Sequence, residues 1–283
     1  MLWKRLRLAV IIFLALTVVI SGWYLVALSR ELGRIRVIFL DVGQGDAILI
    51  EQGEHQILID GGRSGKTLLA KLGRYVPFWD RTIETVIETH PDSDHIGGLP
   101  DLFGKYHVDT LVTTDATSDS DVWKYLGQMI AEHPPTRRLL EEKGMTFSFP
   151  RGGKLETLFP ASGDAILKES NEGSIVTRFT FGGSGVLMAG DLPHEETFLP
   201  DVPETDILKL SHHGSRYSSA DAFLDLVKPK ETVVSVGVNS YGHPNADALK
   251  RLEGRGIAIR RTDVSGDIVY VCSDASGCVY EGK

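Results

Sequence analysis

Four side chains able to bind a cation fall within six positions of the segment Thr89-His90-Pro91-Asp92-Ser93-Asp94-His95-Ile96-Gly97-Gly98. The segment follows the apolar run Val86-Ile87, which places it at the tip of a strand. In an extended loop His90 and Asp92 point to one side at period two, and Asp94 and His95 open the next turn toward a neighbouring point. Interleaved pairs of this kind suit two metal ions about 3.5–4 Å apart, which activate water and stabilise charge on a reacting group. A polar loop with incidental helix caps has no need of two imidazoles and two carboxylates so close together. Two further strand tips carry the same residue types. Val186-Leu187-Met188-Ala189 runs into Gly190-Asp191, and Asp206-Ile207-Leu208-Lys209-Leu210 runs into Ser211-His212-His213-Gly214-Ser215. Either tip alone reads as an ordinary turn or a structural histidine pair. Three tips ending in ligand-type residues point to one shared centre.

The elements that must hold these tips are short and regularly spaced. Strands are expected over 35–40, 47–50, 56–59, 82–89, 108–112, 175–181, 186–189, 207–210, 232–238 and 257–261, and helices over 66–74, 121–132, 220–227 and 246–252. Strands first, then mixed strands and helices, fit two helix-covered sheets better than one doubly wound parallel sheet. The polar stretch 113–121 reads as a mobile solvated loop. The end of the chain reads as a hairpin, with Cys272 and Cys278 flanking a five-residue loop. Their Cβ atoms can face each other, so a disulfide fits an extracytoplasmic domain, with two buried thiols as the alternative.

Composition sets the frame. The chain has 283 residues, 42% hydrophobic and 24% charged, which excludes disordered and fibrous classes. Two cysteines exclude a disulfide-rich scaffold and a four-thiolate zinc site. The formal net charge of −8 argues against a broad basic surface for nucleic acid. Residues 8–28 are uncharged, about 31 Å of helix at 1.5 Å per residue, or roughly a bilayer core. Lys4, Arg5 and Arg7 precede this stretch, and Trp23 and Tyr24 sit near its far end, as in an aromatic belt. Residues 1–29 are therefore read as a retained signal anchor, with a cleaved signal peptide as the rival, and residues 30–283 as one extracytoplasmic domain. Residues 1–29 hold three of the 30 cations and none of the 38 acids, so the domain carries 27 − 38, or −11.

The motifs together resemble the metallo-β-lactamase superfamily, and within it the hydrolase domain of ComEC-type competence proteins. The resemblance covers roughly 35–280. It is carried by FLDVGQGDAILI at 39–50, ILIDGG at 57–62, THPDSDHIGG at 89–98, the segment 171–174, MAGD at 188–191, LKLSHHGS at 208–215, VNSYGHP at 238–244 and RTDVSGDI at 261–268. It implies an αββα sandwich with a dinuclear metal site at one edge of the sheets. It also implies a ligand set: His90 and Asp92 on one metal, Asp94 and His95 on the second, Asp191 bridging, and one of His212 and His213 completing the second. His212 is favoured because it follows its strand directly. Asp60 resembles the family's structural aspartate, and Asp41, Gln44 and Asp46 would line or brace the site. Two positions depart from the wider superfamily. Asp92 replaces the second histidine of the first motif, and Asn171 stands where an isolated histidine is usual. Oxygen in place of imidazole favours Mn²⁺ or Mg²⁺, with Zn²⁺ still served by His90 and His95. The same departures argue against β-lactam hydrolysis.

The chemistry expected is metal-assisted hydrolysis of a phosphodiester, with DNA as one candidate substrate. Asp94 would act within the metal site, and His213 or His243 would donate a proton to the leaving oxygen. Asn171, Ser215 and Tyr241 are candidate substrate contacts. Lys209 and Arg216 flank the paired histidines and could offer local positive charge, with solvated surface cations as the alternative. Two other readings compete. One is a phosphocholine-esterase-like envelope hydrolase, for which Trp79, Trp123 and Tyr241 would form an aromatic cage. The other is a non-catalytic module that helps DNA reach a membrane channel.

Overall fold

The computed structural model describes residues 2–160 and 170–282. These form two units that divide after Arg34. The first is the helix α1 (Leu2–Leu32). Its stretch Arg5–Trp23, of mean hydropathy 2.2, is long and apolar enough to cross a membrane. The Trp23 ring is exposed, and the Tyr24 side chain lies outside the described residues.

The second unit holds fifteen strands in two sheets. In chain order they begin β1 (Ile35–Phe39), β2 (Ile48–Gln52), β3 (His55–Ile59), β4 (Thr82–Glu88), β5 (His107–Thr113), β6 (Arg137–Leu140), β7 (Thr146–Ser148) and β8 (Lys154–Phe159). They continue β9 (Val176–Phe181), β10 (Ser184–Met188), β11 (Ile207–Lys209), β12 (Glu231–Val234), β13 (Ala258–Arg261), β14 (Ile268–Ser273) and β15 (Gly277–Tyr280). One sheet has the order β15-β14-β1-β2-β3-β4-β5-β6, the other β13-β12-β11-β10-β9-β8-β7.

The central strands of both sheets, among them β2, β4, β10 and β11, are buried on both faces, which explains why they read as nearly continuous apolar runs. Alternate residues enter different cores. Ile35, Val37 and Phe39 fill the space between the sheets, together with Val186, Met188 and Ile207. Ile38 and Leu49 turn the other way, onto α2 (Gly65–Tyr75), α4 (Leu99–Phe103) and α5 (Asp121–Glu132) through Leu68, Leu72, Phe103 and Leu126. Leu187, Leu208 and Val234 face α7 (Asp221–Val227) and α8 (Ala246–Glu253) through Phe223 and Leu252. The remaining helices are single turns: α3 (Ser93–Ile96), α6 (Glu195–Phe198) and α9 (Thr262–Ser265). This is the αββα sandwich that the sequence led us to expect.

Side-chain caps start α2, α5 and α8. Ser64, Ser120 and Asn245 accept from the backbone N–H of Thr67, Trp123 and Asp247. Ser120 thus ends the polar loop after β5. Strands β6, β7 and β8 were not expected from the sequence. In β8 Leu155, Thr157 and Phe159 are buried in alternation, but a threonine inside and Leu158 on the outward side mask it. The terminal hairpin pairs Cys272 directly with Cys278, and the two are disulfide-bonded.

Parallel pairing sets where chemistry can occur. β3, β4, β5 and β6 run parallel, as do β10, β11, β12 and β13. Their carboxyl ends emerge together, and ligands bind in α/β sheets beyond such ends.

Close to that edge, Glu195 is fully buried and its carboxylate accepts from the Ser219 N–H and hydroxyl at 2.8–3.0 Å. Burial outweighs these bonds and pushes Glu195 up to about 7, from an ordinary 4.5. A carboxyl raised in the folded state stabilises fully below its unfolded pKa and loses that stability as pH rises through the folded value. Stability should therefore fall between about pH 4.5 and 7 by up to about 3 kcal/mol from this group. Urea midpoints measured across that window should show the slope in wild type and its loss in Glu195→Gln.

Candidate metal centre

Asp191 is the hub of the carboxyl-end edge. It follows β10 and is almost fully buried. Its Oδ2 lies 3.3 Å from Nε2 of both His95 and His213, 3.9 Å from Nε2 of His212 and 4.0 Å from Nε2 of His90. Asp94 Oδ2 is 3.5 Å from His213 Nε2, and Asp92 Oδ2 is 3.9 Å from His90 Nε2. Side chains from the tips of β4, β10 and β11 therefore converge on one oxygen.

A second layer aims the rings. Asp60, buried after β3 in the left-handed region (φ 59°), accepts from His95 Nδ1 at 2.7 Å and from the Thr89 hydroxyl at 2.7 Å. The Thr89 oxygen, having donated to Asp60, accepts from His90 Nδ1 at 3.0 Å. His213 Nδ1 donates to the Ser235 carbonyl at 2.9 Å. Each of these Nδ1 atoms is thus a donor, which leaves Nε2 as the ring atom that faces Asp191. The Nε2 atoms of His90, His95 and His213 are buried without a hydrogen-bond partner, as is Asp191 Oδ1. Buried polar atoms normally find partners, so orphaned ones converging on a carboxylate mark a place where cations fit. Potential ligand atoms of His90, His95 and Asp191, and of Asp94, His95 and His213, lie within 4.8 Å of one another.

The electrostatics follow from this geometry. Burial lowers the His95 and His213 imidazoles, but Asp191 outweighs it, helped by Asp60 at His95 and Asp94 at His213. His95 is thereby held well above the ordinary range and His213 at about 9. Burial and the neighbouring His95 hold His90 well below it. Burial raises Asp191, but His213, His95 and Lys209 hold it well below the usual carboxylate range.

The paired histidines occupy a strained turn. His212 and His213 have φ of 47° and 53°, in the left-handed region that costs a side-chain-bearing residue about 1–2 kcal/mol. Strain of this kind persists where surroundings over-determine it, typically at functional sites. Here the His212 N–H donates to the Gly190 carbonyl, and the Ser211 hydroxyl donates to the Leu192 carbonyl at 2.6 Å. These bonds tie the turn to the Asp191 loop.

The glycine-rich signature lies beneath the first motif. The Asp46 N–H donates to the Asp94 carbonyl, and a Cβ on Gly45 would lie 1.9 Å from that same oxygen. Gly45 also has φ of 124°, which a side chain rarely adopts. Gly45→Ala should displace the Asp94 loop, lower thermal stability by several degrees and weaken metal binding at Asp94. A thermal melt with and without Mn²⁺ checks both effects.

Several sequence expectations change. The sequence favours His212 as the ring that joins Asp94 and His95, and the side-chain geometry favours His213. His213, 1% exposed, touches Asp94 and Asp191, while His212 is about one-third exposed and lies between Asp191 and the His243 ring, 5.4 Å away. The left-handed turn reverses which of the two points inward. His213 is thereby almost fully enclosed. His243 is half-buried at the rim, where burial and the neighbouring His212 and His213 hold its imidazole below the ordinary range. Tyr241 stacks on the His243 ring at 6.0 Å and is exposed. Asn171 enters the edge beside Ser170, whose hydroxyl donates to Asp92 Oδ1 at 2.8 Å. Ser215 shapes the turn instead, its hydroxyl accepting from the Tyr217 N–H. Asp41 faces away from the cluster, toward Lys71 and Asp267, and so braces the signature turn from outside. Gln44 accepts from the Gly237 N–H at 3.5 Å. The aromatic cage does not form. Trp79 meets Phe78 edge to face, Trp123 on α5 packs against the outer core, and Tyr241 stays with His243.

Lys209 is the residue that sequence reasoning misplaced. It is fully buried and pairs with Asp46 and Asp191, whereas Arg216 is exposed and pairs with Asp247. The signal was available: in β11, period two puts Lys209 on the same face as Ile207, which enters the inter-sheet core.

A model of the metallo-β-lactamase superfamily matches residues 40–238. The chain belongs to that superfamily. It is 29% identical over 244 residues to Competence protein ComA of Neisseria gonorrhoeae, covering 81% of this chain and 31% of that one. The chain thus spans about a third of that curated relative. It is 28% identical over 122 residues to Exodeoxyribonuclease WalJ of Streptococcus pneumoniae, covering 42% of each. The metallo-β-lactamase fold protein YhfI of Bacillus subtilis superposes with a TM-score of 0.57 at 14% identity, covering 84% of this chain and 99% of that one.

Proposed function

We propose that the protein is a metal-dependent phosphodiesterase, with a nucleic-acid strand as its substrate, anchored by α1 with the hydrolase domain outside the cytoplasm. The observation that carries this reading is the convergence of orphaned imidazole nitrogens on one oxygen of Asp191. His90 and Asp92 would hold one divalent cation, and Asp94, His95 and His213 a second, with Asp191 shared between them. Such a pair supplies positive charge for a phosphoryl group and makes water acidic enough to attack at neutral pH.

The chain's own residues do the rest. Asp60, Thr89 and Ser235 fix the rings by their Nδ1 bonds, so little reorganisation is needed when substrate arrives. Three ligand carboxylates keep the centre from repelling itself. They favour hard cations such as Mn²⁺ or Mg²⁺, though the histidines also suit Zn²⁺. His243, at the rim beside His212, is the candidate to pass a proton to the leaving oxygen, burial and the neighbouring His212 and His213 holding its imidazole below the ordinary range. Membership of the superfamily supports hydrolysis, and the likeness to a protein named as an exodeoxyribonuclease supports a phosphodiester. The Cys272–Cys278 bond supports an oxidising compartment.

The test is the purified full chain with Mn²⁺, offered single-stranded DNA, double-stranded DNA and small diesters. Metal-dependent cleavage of at least one is expected. Metal bound but no diester cleaved would overturn the activity, and release of choline phosphate alone would favour the envelope hydrolase. A folded chain that binds DNA without metal would favour the non-catalytic module.

A further inference from the structure

Lys209 sits where a lysine is least expected. β11 is an interior strand of its sheet, and the Lys209 stem enters the inter-sheet core with no exposed surface. Burying an ammonium forfeits its hydration, which destabilises the fold unless the charge is well paired. Its ammonium donates to the Gly190 carbonyl at 2.8 Å, lies in close contact with Asp46 Oδ2 and forms an ion pair with Asp191 Oδ1 at 3.5 Å, without a hydrogen bond to that oxygen.

The two oxygens of Asp191 therefore have different neighbours. Oδ1 faces the ammonium, while Oδ2 faces the four Nε2 atoms. We propose that Lys209 is a positioning residue that reserves Asp191 Oδ1, so that Oδ2 alone is presented as the oxygen shared by both metal ions. The inference rests on reading the site as a two-metal centre. Without the ammonium the carboxylate is free to turn and give both oxygens to one ion, and the shared contact is lost.

Lys209 also balances the charge of Asp46, so a purely structural role needs separating from a positioning one. The double variant Lys209→Met with Asp46→Asn removes the clamp and keeps the interior charge-balanced. Lys209→Gln, which keeps a short donor without the charge, is the second variant should the first fail to fold. Each full chain is titrated with Mn²⁺, its metal counted, its fold checked by circular dichroism and its paramagnetic resonance spectrum recorded. Wild type is expected to hold about two Mn²⁺ with a spin-coupled spectrum. The folded variants should bind the second equivalent at least tenfold more weakly and show uncoupled Mn²⁺. A folded variant that keeps two coupled ions at wild-type affinity overturns the positioning role. Wild type that binds no metal overturns the reading of the site itself, and this inference with it.

Discussion

Asp191→Ala should abolish diester hydrolysis and reduce bound metal from about two ions per chain to one at most. The size of the effect follows from position. Loss of a partner that merely orients a metal ligand typically costs 10–100-fold in affinity or activity. Asp191 is closer in: its Oδ2 is within 4.0 Å of Nε2 on His90, His95, His212 and His213. The activity loss should therefore exceed about a hundredfold. The fold should survive, because Lys209 keeps Asp46 and the Gly190 carbonyl as partners. Metal analysis, circular dichroism and the diester assay on one preparation check all three statements. Full activity with two bound metals would sink the proposed centre.

The paired histidines should behave unequally. His213→Ala removes a buried ring that touches Asp94, Asp191 and the Ser235 carbonyl, and leaves those acceptors facing a cavity. Its loss should cost about a hundredfold or more in activity and at least one metal, together with stability on the order of 2 kcal/mol. His212 is about one-third exposed and stands 3.9 Å from Asp191 Oδ2. His212→Ala should lower activity about tenfold, with metal content and melting temperature little changed. Equal effects, or a larger effect at His212, would reverse the assignment made from the turn geometry.

Much of the architecture was legible because burial on two faces leaves a strong trace. The apolar runs at 35–40, 47–50 and 82–89 became β1, β2 and β4, and the helix expected at 121–132 became α5 with those bounds. Edge strands left a weaker trace. β6 is mostly exposed, and β7 is only three residues long, so neither shows a clear period.

Local spacing alone determined that His90, Asp92, Asp94 and His95 crowd one strand tip and that Asp191 and the His212–His213 pair end two others. It also showed that residues 8–28 form an uncharged stretch. Those facts depend on neighbours along the chain. What the tertiary structure decided depends on neighbours across it. The left-handed turn at His212–His213, imposed by bonds to the Asp191 loop, chose His213 as the inward ring. The meeting of two sheets placed Asp46 from one opposite Lys209 from the other, turning an apparent surface cation into the partner of two buried carboxylates. Charge pairing between distant segments has no periodicity, so only the folded chain reveals it.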